Sequence, residues 1–387
     1  MKETTQFSVA EALFAILRQE LGGIPCPQAC LDIRLQSDLL ALAEQHSLAH
    51  ILANAYANAG LLEGNPNAGA YRNAFMLAFY QSQQQSHVLE QVSQCFDRLS
   101  IDHIPLKGAV IRRYYPQSWM RSSCDVDILI PQEDAQKAMD GLLALGYRIQ
   151  KSTSFYDYSL FSPQGVHLEL HFSLIQLKTM KRTNQVLEQA WAYTRPDRRS
   201  LTDEMFMVYH LAHMAKHFIN GGCGIRPFLD LWLFRDQLTM DAQVLDTLLR
   251  QAKLLDFYHA VNDVVDVWFE GKPHSRTTLG IQEFILTGGS YGTQANVFAV
   301  RAAEGESRLQ SFLRVMFMSR ANLEYMYPRL ERYPWLLPYY QVKRWFGFFS
   351  KKRRNHLKRL TNTRGAVTKT QADSTADLLT QIGLSHQ

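Results

Sequence analysis

Most of this chain places its apolar residues at helical spacing, but a few short stretches follow the two-residue period of a strand, chief among them Cys124-Asp125-Val126-Asp127-Ile128-Leu129-Ile130. On extended backbone, residues two apart share a face, so Asp125 and Asp127 project together while Val126 and Ile128 face a core. Two carboxylates so close repel unless a cation neutralises them. The pair is therefore either a strand edge that exposes two acids to water or a cation site. For the second reading Mg²⁺ is the natural occupant, being held by one or two carboxylates together with substrate phosphates; Mn²⁺ is its substitute.

Two neighbouring segments bear on that choice. Upstream, Ile104-Pro105-Leu106-Lys107-Gly108-Ala109-Val110-Ile111 reads as an apolar strand, a Lys-Gly pair and a helix start. Gly108 permits close backbone approach to a ligand, the helix N-terminus offers free N–H groups to phosphate, and Lys107 adds a point charge. Downstream, Val166-His167-Leu168-Glu169-Leu170-His171 alternates strictly. It puts His167, Glu169 and His171 on one strand face, where Glu169 is a third carboxylate.

Around this stretch the texture is helical. Helices are expected over Val9–Leu17 (stopped by Gly22-Gly23), Leu39–Ala53 and Ala70–Leu99. Short strands are expected over Ile101–Leu106, Cys124–Ile130, Tyr147–Ile149, Tyr156–Phe161 and Val166–Phe172, with a helix over Asp134–Leu145 ended by Gly146. The helical pattern resumes over Leu201–Phe218, Phe228–Gln237, Asp241–Phe269, Gly280–Leu286 and Gln294–Met318. The chain thus reads as α+β: an N-terminal helical region (1–99), a small mixed-sheet core (100–175), a C-terminal helical domain (176–350) and a basic, then polar, flexible tail (351–387) with a short helix near Asp377–Ile382.

Charge is informative only when it is located. The 387 residues carry 41 Lys+Arg and 36 Asp+Glu, a net +5. Eight of the basic residues fall between Lys343 and Arg359, and without them 33 basic residues face 36 acidic ones. The excess is one local block, not a fold-wide nucleic-acid footprint. Five scattered cysteines (Cys26, Cys30, Cys95, Cys124, Cys223) do not make a disulfide framework. The start does not resemble a secretory signal, and no run of about 20 apolar residues spans a bilayer. A reduced, cytoplasmic protein is expected.

A strand, a phosphate-binding glycine, Asp-x-Asp on a second strand and an acid on a later strand together resemble the polymerase-β-like nucleotidyltransferase superfamily. Its usual Gly-Ser or Gly-Gly is replaced here by Lys107-Gly108. That departure is similar to the bacterial branch described as uncharacterised nucleotidyltransferases, through Leu106-Lys107-Gly108, Arg121, Asp125-Val126-Asp127, Gly146-Tyr147 and Glu169. The resemblance extends through His213, His217, Gly221-Gly222, Arg226, Asp230 and Gly288-Gly289-Ser290-Tyr291-Gly292. It implies Mg²⁺-dependent transfer of a nucleoside monophosphate from an NTP to an acceptor, whether small molecule, RNA or protein. Asp125, Asp127 and Glu169 would be catalytic and hold metal. Lys107, Gly108, Arg121, Ser122 and Ser123 would bind the nucleotide. In two-metal catalysis, ions about 3.5–4 Å apart clamp the attacking and leaving oxygens.

Other features keep two readings each. His210, His213 and His217 share a helix face and, with Asp230, could form a phosphohydrolase-type metal site; alternatively they line the cleft beside His171. Arg226 and Asp230, four apart, either pair on a helix or reach the substrate. Gly288–Gly292 follows no apolar strand and reads as a helix stop and sharp turn. Trp335–Arg354 interleaves aromatics with cations, and either packs as a terminal helix or meets an anionic surface through 343–359. A catalytically inactive nucleotide or RNA binder is the remaining alternative.

Overall fold

All five expected strands form: β1 Ile104–Leu106, β2 Asp125–Leu129, β4 Asp157–Phe161 and β5 His167–His171 lie inside their expected segments, and β3 Arg148–Gln150 is shifted one residue toward the C-terminus of its own. They make one mixed sheet in the order β1-β2-β5-β4-β3. The β2–β5 pair is parallel and the others antiparallel. Parallel pairing sets Asp125 opposite His167, Asp127 opposite Glu169 and Leu129 opposite His171. This register gathers the polar faces of the two alternating segments. The computed structural model describes residues 8–150, 157–177, 179–290, 292–318, 320–327, 329–346, 363 and 368–385.

The helices before and between the strands are α1 Val9–Gly22, α2 Gln36–Gln45, α3 Ala49–Asn58, α4 Ala68–Arg98, α5 Lys107–Ile111 and α6 Ala135–Ala144. After the sheet come α7 Lys181–Leu187, α8 Asp203–Ile219, α9 Arg226–Phe234, α10 Ala242–Gln251, α11 Leu255–Glu270, α12 Arg276–Gly288 and α13 Gln294–Ala303, with shorter helices beyond. Three expected helices are each divided in two. The single helix expected over 39–53 breaks into α2 and α3 because Ser47 is left-handed (φ 56°). Lys253 (φ 59°) separates α10 from α11, and Gly305 (φ 87°) ends α13. Apolar periodicity continues across such one-residue reversals, so pattern reading joins the pieces.

Two apolar cores flank the sheet. Behind it, Val88, Val92, Cys95 and Phe96 of α4 pack with α6 against Val126, Ile128, Leu168 and Leu170. The larger core joins α1–α3 to the helices that follow the sheet; Phe14 of α1, for example, stacks on Trp268 of α11 at 4.5 Å. The N-terminal and C-terminal helical regions thus bury their apolar faces together. Helix α4, 31 residues long, serves both cores, because Tyr71 belongs to one and Phe96 to the other.

The C-terminal helix expected over 377–382 is longer and docked. It runs Lys369–Gln381, with Leu378, Leu379, Ile382 and Leu384 buried in the larger core. Most of the basic block, from residue 347 to 359, lies outside the described residues. Its beginning is the helix Leu337–Phe346, with Tyr340 buried and Phe346 exposed. Lys343 stands over the Tyr327 and Tyr340 rings.

Candidate active site

Strand β2 holds its two acids by different means. Asp127 is 1% exposed. Its Oδ1 accepts from Lys107 Nζ at 2.6 Å and from His171 Nε2 at 2.8 Å. Burial alone would raise this carboxyl, but Lys107 and His171 hold it far below the usual carboxylate range. Reciprocally, burial opposes charge on His171, and its bonds to Asp127 and Glu169 overcome that and raise its pKa. Lys107 is raised against the pull of burial in the same way. Asp125 has the opposite fate: burial and the neighbouring Asp127 and Glu169 push it up to about 6.

Glu169 completes the group, with Oε2 lying 3.4 Å from His171 Nε2 and 3.8 Å from Lys107 Nζ. Two sets of side chains offer donor atoms within 4.8 Å of one another: Asp125 with His167 and Glu169, and Asp127 with Glu169 and His171. Asp127 Oδ2 is buried without a hydrogen-bond partner. An orphaned carboxylate oxygen beside two further carboxylates is a donor set for a hard divalent cation such as Mg²⁺ or Mn²⁺. The residues fit the metal that the resemblance implies.

The loop from β1 is built around a close approach. Lys107 is left-handed (φ 45°), a conformation that costs a non-glycine residue roughly 1–2 kcal/mol. A Cβ on Gly108 would lie 2.6 Å from Ser123 Cβ and 2.7 Å from its Oγ. The approach that Gly108 permits is therefore to Ser123. That serine donates to Gln85 Oε1 at 3.0 Å and accepts from Arg112. Arg112 also donates to Gln85 Oε1 and to the Gly108 carbonyl. A buried arginine thus ties α4, α5 and the approach to β2 together.

Arg121 and Asp230 form the second ionic centre. Asp230 on α9 is fully buried and accepts from Arg121 Nε at 2.7 Å, Arg121 Nη2 at 2.8 Å and the Tyr115 hydroxyl at 2.6 Å. Bidentate geometry of this kind fixes orientation as well as energy. Arg121 also donates to the Ser122 carbonyl at 2.8 Å, and Arg226 donates to that carbonyl at 2.8 Å and to Ser122 Oγ at 3.3 Å.

The acidic sheet face looks onto α8. Lys107, Gly108, Arg121, Ser123, Asp125, Glu169, His210, His213, His217 and Arg226 line one cleft of about 300 Å³. A second cavity of about 300 Å³ adjoins it and is lined by His171, Asp157, Ser173 and Gln176, with Lys107, Glu169, Tyr209, His213 and Lys216 common to both. A third, about 550 Å³, shares Ser123, Cys124 and Arg226 with the first and is walled by Ala70, Ala74 and Leu77 of α4.

The histidine face of α8 is present, but without the carboxylate paired with it from sequence. His213 and His217 lie with their Nε2 atoms 3.0 Å apart. Burial, reinforced by nearby lysines, depresses both, His217 to about 4. Asp230 is spent on Arg121 and Tyr115. Among the described residues, the side-chain groups able to hold an ion are the two on the sheet. The glycine run behaves as a turn: α12 ends at Gly288, Gly289 is left-handed (φ 64°), and Gly292 would clash with Gly221 if it carried a Cβ.

Sequence reasoning missed Arg112, Gln85, Tyr115, Tyr209 and Lys216. Lys216 alone had a signal, since it stands three residues after His213 on the face that looks into the cleft. A family model described as "Uncharacterised nucleotidyltransferase" matches residues 34–270, and the chain belongs to that family. No curated protein and no solved structure matches it.

Proposed function

We propose that this member of the nucleotidyltransferase family moves a nucleoside monophosphate from an NTP to a hydroxyl or phosphate acceptor. The observation that carries the reading is the in-register placement of Asp127 and Glu169 on parallel strands, beside Asp125, with a buried carboxylate oxygen left over. In the reaction an acceptor oxygen forms a bond to the α-phosphorus, and the bond to the oxygen bridging the α- and β-phosphates breaks. Pyrophosphate leaves, and the acceptor proton passes to a base.

Asp125, Asp127 and Glu169 would hold Mg²⁺ or Mn²⁺, which when bound supplies charge neutralisation of the attacking and leaving oxygens. Glu169, partly exposed where Asp127 is buried, is the carboxylate suited to take the acceptor proton. Lys107 and His171 keep Asp127 ionised, and Arg121, fixed by Asp230, orients the loop that leads into β2. The first cleft and the α4-walled cavity beside it together have room for a triphosphate and its nucleoside.

The test uses NTPs labelled at the α-phosphate with Mg²⁺, scored for label on protein, RNA and small molecules. Transfer from at least one NTP, lost in the Asp125→Asn/Asp127→Asn double variant, supports the reading. Equal transfer by both proteins sinks it. Nucleotide affinity that depends neither on Mg²⁺ nor on these acids would mark a non-catalytic binder instead.

A further inference from the structure

Four cationic side chains line the first cleft, and three of them are engaged with the protein itself. Lys107 is bound to Asp127, Arg121 to Asp230, and Arg226 to Ser122. The fourth, Lys216 of α8, has no hydrogen-bond or ion-pair partner for its ammonium among the described residues. It lines both 300 Å³ cavities, in the wall they share with Lys107, Glu169, Tyr209 and His213.

Helix α8 contributes no acid to that wall; its residues there are Tyr209, His213, Lys216 and the adjacent His217. Across the cleft, Glu169 is within reach of Lys107 and His171, and Asp127 accepts from both. Asp157 of β4 also lines the second cavity, but Lys216 makes no ion pair with it; Glu169 and Asp127 already have cations closer to them. A half-buried ammonium so placed loses hydration without gaining a counter-ion. Burial and the nearby Lys107 push its pKa down, against a weaker opposing pull from Glu169, Asp127 and Asp157. An arriving polyanion would reverse that deficit.

We propose that Lys216 is a binding residue for the polyphosphate chain of the nucleotide, a role that sequence reading had divided between Lys107 and Arg121. The inference rests on the nucleotidyltransferase reading of the same site. It assigns the wall between the two cavities as the polyphosphate subsite and leaves Lys107 and Arg121 to order the acidic strand and its loop.

The experiment is calorimetric titration of the full-length protein with inorganic tripolyphosphate and with each of the four NTPs, all in Mg²⁺. Lys216→Met, which keeps the apolar stem, is expected to bind tripolyphosphate about tenfold or more weakly, the loss of one charge-assisted hydrogen bond. Lys216→Arg is expected to keep most of the affinity, and both variants to melt as the wild type does. Should Lys216→Met fail to fold, Lys216→Gln carries the same expectation. Wild-type affinity in the Met or Gln variant overturns the inference while leaving the nucleotidyltransferase reading intact. A wild-type protein that binds neither tripolyphosphate nor any NTP removes that reading, and the inference with it.

Discussion

Lys107 Nζ meets Asp127 Oδ1 at 2.6 Å, so the lysine expected to face phosphate is the direct counter-ion of a carboxylate expected to hold metal. Asp127 is almost wholly buried, and removing one partner of a buried ion pair costs about 3–5 kcal/mol. Lys107→Met is expected to be strongly destabilised in chemical denaturation. Asp127 keeps its stability contribution above the unfolded carboxylate pKa of about 3.9 and loses it as pH falls through its depressed folded pKa. The variant, whose Asp127 is less depressed, should therefore lose stability at higher pH on acidification than the wild type.

Asp125 titrates in the opposite sense. Its folded pKa is raised to about 6, so the folded state holds this proton more tightly than the unfolded chain does. Ionising it costs stability as pH rises from about 4 to about 6, and the cost persists above that window. Asp125→Asn should accordingly raise the melting temperature at neutral pH in chelator, with the gain shrinking as pH falls from about 6 to about 4 and absent below that. Added Mg²⁺ should stabilise the wild type and not the variant. Thermal melts at several pH values with and without Mg²⁺ check both signs.

The Arg121–Asp230 pair joins the loop before β2 to α9 across the cleft. Asp230→Asn leaves Arg121 buried beside a neutral amide, and a loss of about 3–5 kcal/mol is expected. Replacing both, Arg121→Met with Asp230→Leu, should cost less than Asp230→Asn alone, because neither charge is then stranded. Denaturant midpoints of the three proteins decide it.

Gly108 is expected to tolerate no side chain. Alanine there would press on Ser123 Cβ and Oγ, and overpacking of this kind costs about 1–3 kcal/mol. Gly108→Ala should lower the melting temperature, and restoring room with Ser123→Gly in the same chain should recover part of the loss.

The two polar strand faces were legible because Asp125-Val126-Asp127-Ile128 and the strictly alternating His167–His171 both follow the two-residue period of a strand, and Gly146 marked the end of α6. What the alternation could not give was register. That Asp127 sits beside Glu169 follows from parallel pairing, which is set by contacts distant in sequence. Chain reversals at Ser47 and Lys253 were illegible because neither residue type announces a left-handed backbone. Arg121 was found but assigned to phosphate, since nothing in the sequence shows that Asp230, 109 residues on, packs against it. Lys216 was passed over because the histidines around it drew the metal reading.

Nucleotidyl transfer supported by the acids of β2 and β5 must release pyrophosphate. Its most direct test is pyrophosphate release from each NTP in Mg²⁺, with a nucleotide-depleted cell extract supplying acceptors, for the wild type and for Asp127→Asn. Release from at least one NTP by the wild type is expected, abolished by chelator and lowered about a hundredfold or more in the variant, in keeping with loss of a preorganised charge-stabilising group. Release at the same rate from both proteins would contradict it.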